Sequence, residues 1–253
     1  MFIGAQLYSV RDRCSNEEEI EKTFQEMKSI GYASVQISGF SYEPEKIKEY
    51  ASKYGLIIGL THTPLSEILQ DTDAVIQKHT TMKASMVGIG FPTGYCEKNG
   101  IDTKRLIRDL TPAVSAIKAA GLQFGYHNHN VEFIDAGGYC AMDVLIEETD
   151  WNFILDVGWA HVAKKNTVAL IQKLTGRIPY IHLKDFALHT DSDRSWWEIV
   201  PIGCGEVPFD SILPALERAG TKIAYVEQDN AVEKNSWEQM RRSYQNMKAR
   251  GWV

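Results

Sequence analysis

Eight times along this 253-residue chain a short β-rich run is followed by an amphipathic segment, and strict alternation of that kind leaves few folds open. FIGAQLY leads into NEEEIEKTFQEMKSIG, where Ile20, Phe24, Met27 and Ile30 recur at helical spacing on one face and Gly31 closes the helix. YASVQIS with PEKIKEYASKYG, LIIGLTH with a helix within about residues 71–83, and ASMVGIGF with TKRLIRDLTPAVSAIKAAG complete the first half. LQFGYHN with MDVLIEE, FILDVG with TVALIQKL, IPYIHLKD with FDSILPALERAG, and IAYVEQD with SWEQMRRSYQNMKARG form the second. Strands alternating with helices pair in parallel, and eight units of roughly 25 to 35 residues fit an α/β fold, the closed (β/α)8 TIM barrel. An open doubly wound sheet would carry a Gly-rich phosphate turn after its first strand, and none is present. With no Pro/Ser/Gly linker and no low-complexity tract, residues 1–253 read as a single domain. Ala187 to Val207 reads as a long irregular loop, expected over the active face as a lid.

The bulk composition narrows the function classes. A formal charge of -6 with acidic and basic residues interleaved argues against a nucleic-acid footprint and against an anionic membrane partner. Cys14, Cys96, Cys140 and Cys204 lie far apart with no CxxC pair, as expected of unpaired thiols in a reducing compartment. MFIGAQLYSVRD meets Arg11 early and reads as a first strand and not a signal peptide, and no apolar run reaches membrane-spanning length. The expected location is cytoplasmic.

In a barrel of this kind the C-terminal ends of the strands line the active face, so the residue types found there carry the functional reading. Here they are polar at nearly every mouth: Gln6 and Tyr8, Gln36, His62, then His127, Asn128 and His129, then Asp156, His182 with Lys184, and Glu227 with Gln228. Each has an ordinary explanation when taken alone. Asp156 before Val157 and Gly158 can cap a turn, His182 can bond a backbone carbonyl, and Glu227 can pair with Lys184. Together they suggest one divalent cation, because three ligand-type side chains tens of residues apart occupy equivalent strand positions and mixed carboxylate and imidazole donors suit such an ion. The fifth unit, GYHNHNVEF, offers His127, His129 or Glu132 as a further ligand. His129 is also placed to orient another ligand.

YHNHNVEF, LDVGWA, IHLKD, GCGEVPF at Gly203 to Phe209, and VEQDN resemble the xylose isomerase-like barrels of sugar phosphate isomerases and epimerases, a family that includes tagatose 3-epimerases, inosose dehydratases and endonuclease IV. The resemblance extends over essentially the whole chain. It implies one divalent metal ion, often manganese, magnesium, cobalt or zinc, held by Glu, Asp, His and Glu from strands five to eight, and it carries over directly to Asp156, His182 and Glu227. Many relatives have ENH where this chain has His127, Asn128 and His129, a departure with two repairs: His127 ligates, or Glu132 restores the lost carboxylate. Glu132 is favoured because a third carboxylate better suits a hard cation that binds two sugar oxygens. The endonuclease branch is the poorer match, since Trp159 stands where its metal site would want a histidine.

The resemblance implies proton transfer next to a carbonyl of a sugar or keto-sugar, phosphorylated or not, with the cation stabilising the enediolate. Glu227 or Glu132 is expected to remove the proton and His127 or Lys184 to return it, giving an isomerase or epimerase. A leaving group β to the carbonyl would make the same site a dehydratase. Gln6, His62 and His129 are candidates for substrate hydroxyls, and Trp159 and Trp197 for stacking on a sugar face. A non-catalytic sugar-binding barrel is the remaining alternative. A homo-oligomer is compatible with the resemblance.

Overall fold

The near-continuous apolar runs are buried on both faces, as parallel strands covered by helices must be. In the computed structural model, which describes residues 1–97 and 100–253, eight of them close a barrel. They are β1 (Phe2–Gln6), β2 (Ser34–Ile37), β3 (Ile57–His62), β4 (Met86–Ile89), β5 (Gln123–His127), β6 (Asn152–Asp156), β7 (Tyr180–Leu183) and β8 (Ile223–Val226). Each is parallel to its neighbours in sequence, and β8 returns to β1 with Phe2 beside Ile223 and Ala5 beside Val226. Helices cover the outside. Glu17–Ile30 shows why they form where they do: Asn16 accepts the Glu19 N–H at 3.0 Å, three glutamates occupy the first turn, and Ile20, Phe24 and Met27 face the barrel.

The lower lumen is filled by Leu60, Met86, Ile154, Tyr180, Ile223 and Tyr225, a cluster separate from the larger core between barrel and helices. Glycines make this possible. A Cβ on Gly4, on the adjacent strand β1, or on Gly59 of β3 would strike the Tyr225 ring or hydroxyl, so these strands yield the volume that the tyrosine takes. The Tyr225 hydroxyl is not left bare, for it lies 2.7 Å from Ser34 Oγ.

Three local expectations are corrected. The helix expected within residues 71–83 is there as Thr72–Met82, but a further helix, Leu65–Gln70, precedes it, because Asp71 breaks off the first and caps the second by accepting the Ala74 N–H at 2.9 Å. A helix at Val157–Val162 precedes the expected one at Thr167–Lys173. Much of the supposed lid loop is an antiparallel hairpin, Asp185–Thr190 with Ser195–Val200, turned where Asp191 accepts the N–H groups of Asp193 and Arg194. Its strands pair only with each other and lie outside the barrel, so they lack the buried apolar pattern that marks the other strands. No helix among the described residues is long and apolar enough to cross a membrane.

Candidate metal centre

The ends of β5 to β8 bring His127, Asp156, His182 and Glu227 together, each offering one ligand atom within 4.8 Å of the others, and all four are buried. Strand register does part of this work, since Asp156 lies directly beside His182 and the Glu227 N–H bonds Leu183 O at 3.0 Å. Asp156 plays two parts. Its Oδ1 accepts the Trp159 N–H at 2.8 Å and so starts helix Val157–Val162, while Oδ2 faces the cluster with no hydrogen-bond partner. Asn128 holds the Asp156 backbone from the side, accepting its N–H at 3.0 Å and donating to its carbonyl at 3.3 Å. His127 Nδ1 donates to Gly90 O at 3.1 Å, which turns Nε2 toward Asp156 Oδ2 at 3.5 Å, again without a hydrogen-bond partner. Neither buried atom makes a hydrogen bond, and an imidazole nitrogen facing a carboxylate oxygen is a donor pair that fits a cation.

Lys184 supplies the positive charge here. Its ammonium, 1% exposed, stands 2.9 Å from Glu227 Oε2, 3.0 Å from Asp229 Oδ2 and 3.4 Å from Asp156 Oδ2. Burial opposes ionisation of Asp156 and Glu227, yet Lys184 foremost and then the imidazoles outweigh it and hold both carboxyls below their usual range. Burial likewise opposes the Lys184 charge, and the surrounding carboxylates, Glu227 first, override it and raise the ammonium's pKa. His182 is held from both sides, with Nδ1 2.8 Å from Glu227 Oε2 and Nε2 2.7 Å from Gln36 Oε1.

Glu132 is not part of this group. It is fully buried behind the loop, where Oε1 accepts the Tyr126 hydroxyl at 2.8 Å and Oε2 the His129 N–H at 2.7 Å, and burial raises its pKa. A cavity of about 700 Å³ opens above the cluster, with His62, His127, His129, Lys184, Glu227 and Asp229 at its floor. His62 packs its ring 4.9 Å from that of His127 and 5.1 Å from that of His182 and leaves Nε2 unpartnered. Gln6, Trp159 and Trp197 do not line the cavity. Gln6 accepts the Tyr8 N–H at 3.2 Å, Trp159 packs on Phe186 with the Lys184 ammonium 5.3 Å from its ring, and Trp197 sits on the hairpin against Phe186 and His161.

Sequence reasoning passed over Asp229, although its position two residues beyond Glu227 was a usable signal. It gave Gln36 no role beyond a polar strand end, because nothing local shows that β2 lies across the lumen from His182. GCGEVPF, carried by the resemblance alone, has a structural explanation. Asp185 accepts the N–H groups of Gly203, Gly205 and Val207 at 2.8, 2.9 and 3.2 Å, and a Cβ on Gly205 would collide with that carboxylate.

Residues 24–249 match the family model described as xylose isomerase-like TIM barrel. Among solved structures, a sugar phosphate isomerase/epimerase from Parabacteroides distasonis superposes with a TM-score of 0.76 at 21% identity, covering 98% of this chain and 93% of that one. An L-ribulose 3-epimerase gives 0.73 at 14% identity, covering 98% and 94%. A probable 3-DHS dehydratase of petrobactin synthesis from Bacillus anthracis gives 0.74 at 12% identity, covering 98% and 99%. No curated protein matches the sequence. At these identities the structural likeness is one of fold.

Proposed function

Since the chain belongs to the xylose isomerase-like TIM barrel family, we propose that it is a divalent-metal-dependent isomerase or epimerase that moves a proton next to the carbonyl of a sugar or keto-sugar. The observation that carries this reading is the convergence of His127, Asp156, His182 and Glu227 within 4.8 Å of one another, with His127 and Glu227 also lining a cavity of about 700 Å³. His127 is favoured over Glu132 as the fourth ligand, because its Nε2 faces Asp156 unpartnered while both Glu132 oxygens are occupied. Bound there, the cation supplies Lewis-acid stabilisation of charge developing on the substrate carbonyl oxygen.

The chain's own groups supply the proton chemistry. Glu227 lines the cavity and is kept ionised by Lys184 and His182, so it is available as the acceptor. Lys184 lines the same floor with its ammonium 2.9 Å from Glu227 Oε2, placed to return a proton to the substrate. Asp229, 3.0 Å from the Lys184 ammonium, would remain its carboxylate partner were Asp156 and Glu227 to hold a cation. His62 and His129 present imidazoles that burial keeps neutral, foremost among the causes, and are suited to bonding substrate hydroxyls.

A dehydratase reading is favoured by one feature, the same Lys184: an ammonium beside the acceptor can protonate a departing hydroxyl as well as a carbon. Metal analysis of wild type, Asp156→Ala and His182→Ala, followed by α-proton exchange of ketoses and 3-keto-sugars in deuterated water, tests the proposal. About one equivalent of metal and exchange in wild type, with both lost in folded variants, is the expected result. A wild type that neither contains nor takes up manganese or zinc overturns it.

A further inference from the structure

Two imidazoles face the centre, and in each the ring nitrogen turned away from it is the one the fold has engaged. His127 gives Nδ1 to the Gly90 carbonyl at 3.1 Å and leaves Nε2 free. His182 is the mirror case: Nε2 lies 2.7 Å from Gln36 Oε1, while Nδ1 faces Glu227 Oε2 at 2.8 Å. An amide oxygen only accepts, so a neutral ring here carries its proton on Nε2 and keeps the lone pair on Nδ1. Glu227 Oε2 does not call for that proton, since the Lys184 ammonium already stands 2.9 Å from it. A nitrogen lone pair and a carboxylate oxygen held this close repel unless a positive charge is shared between them.

Nothing nearby in sequence brings Gln36 to this place. It stands on β2, and β8 and β1 separate that strand from β7 in the closed ring, so its side chain crosses the lumen to reach His182. The residue is fully buried and its Nε2 has no partner, so the bond to His182 is the one its side chain makes among the described residues. Burying an amide with half its bonding unmet costs free energy, and a packed apolar residue would fill the space without that cost. What the glutamine adds is the choice of tautomer.

The donors so presented are two nitrogens and two carboxylate oxygens. The neighbouring carboxylates are engaged elsewhere, Glu132 by the Tyr126 hydroxyl and the His129 N–H, and Asp229 by Lys184. The Lys184 ammonium also offsets part of the negative charge on which an ion held by charge alone depends. Magnesium takes oxygen ligands almost exclusively, whereas zinc bonds imidazole and carboxylate alike. We propose that Gln36 is a positioning residue that presets His182, as the Gly90 carbonyl presets His127, to form a two-nitrogen, two-oxygen centre for a cation of zinc's class over magnesium. This inference rests on the reading of the cluster as a metal site.

Equilibrium dialysis of the metal-free protein against zinc and, separately, against magnesium, with the bound ion read by elemental analysis, tests it. Wild type should take up about one equivalent of zinc at concentrations that leave magnesium unbound. Gln36→Met keeps the volume and loses the acceptor, and its zinc affinity should fall about 10- to 100-fold. Gln36→Glu keeps an accepting oxygen and should recover that loss. Nitrogen-15 NMR of the metal-free wild type should show His182 protonated at Nε2, a signature that side-chain volume alone does not set. Full zinc affinity in Gln36→Met, a Gln36→Glu as weak as Gln36→Met, equal uptake of magnesium, or a bare Nε2 on His182 each overturns the inference. The wild-type arms decide it even where a variant fails to fold. Zinc bound at wild-type strength in every Gln36 variant leaves the proposed function standing and removes only the inference. No uptake of zinc, manganese or magnesium removes both.

Discussion

The lower and upper layers of the barrel lumen are built from the same eight strands, yet they are opposites. Below, Tyr225, Ile154, Met86 and their neighbours fill space to the point that Gly4 and Gly59 must lack side chains, and the Tyr225 hydroxyl has its partner in Ser34. Above, His127 Nε2, Asp156 Oδ2, His62 Nε2, Gln6 Nε2 and Gln36 Nε2 are buried with no hydrogen-bond partner. The lower layer is a packed core that stabilises the fold, whereas the upper layer keeps polar groups without protein hydrogen bonds, open to a ligand, an ion or water. The difference teaches where this fold spends its stability. The same contrast separates two imidazoles: His79 is held at both nitrogens by Thr61 and Val75, each at 2.7 Å, whereas His62 is not.

The sharpest way to break the comparison is to empty the upper layer. Asp156→Ala should abolish metal binding and lower turnover by about 10⁴-fold or more. Its cost in metal-free stability should be only about 1–2 kcal/mol, mostly the lost cap on helix Val157–Val162. A variant already unfolded without denaturant, or one losing far more than that, would show that the upper layer carries structure after all. Emptying the lower layer should do the reverse: Tyr225→Ala is expected to cost about 4 kcal/mol in the denaturation midpoint while a surviving folded fraction keeps its metal stoichiometry.

A pH titration sharpens the contrast between the imidazoles. Burial foremost lowers His79 from 6.5 to about 4, with the Val75 carbonyl opposing. Because the folded value lies below the unfolded one, its contribution is complete above about pH 6.5 and is lost as pH falls toward about 4, amounting to roughly 3 kcal/mol at most. His79→Leu should flatten the pH dependence of urea unfolding in that window, and an unchanged slope would exclude His79 as its source. The smallest effect is expected at the clasp outside the lumen. Asp185→Asn should destabilise by about 1–2 kcal/mol by giving up one oxygen that accepts N–H groups of the Gly203–Val207 loop, with metal content intact.

How much of this was legible in the sequence follows from the range over which each feature acts. The strand and helix alternation and the apolar face of Glu17–Ile30 are local patterns, and they lead directly to the closed barrel. Asp156, His182 and Glu227 stood out for the same reason, since each ends a recognisable strand run and a parallel barrel gathers such ends at one face. The hairpin Asp185–Val200 was missed because it pairs with itself, half exposed, and carries no buried period to read.

By itself, then, the sequence determined the eightfold α/β architecture and which strands would bring ligand-type side chains to the mouth, because period and position along a strand are properties of neighbouring residues. Only the tertiary structure decided that His127 joins the cluster while Glu132 turns to Tyr126 and His129, that Gln36 reaches His182 across the lumen, and that Lys184 sits among three carboxylates. The physical reason is that these contacts join residues from different strands and loops. Their rotamers are settled by burial and by charge partners far away in the chain, and neither exists until the barrel has closed.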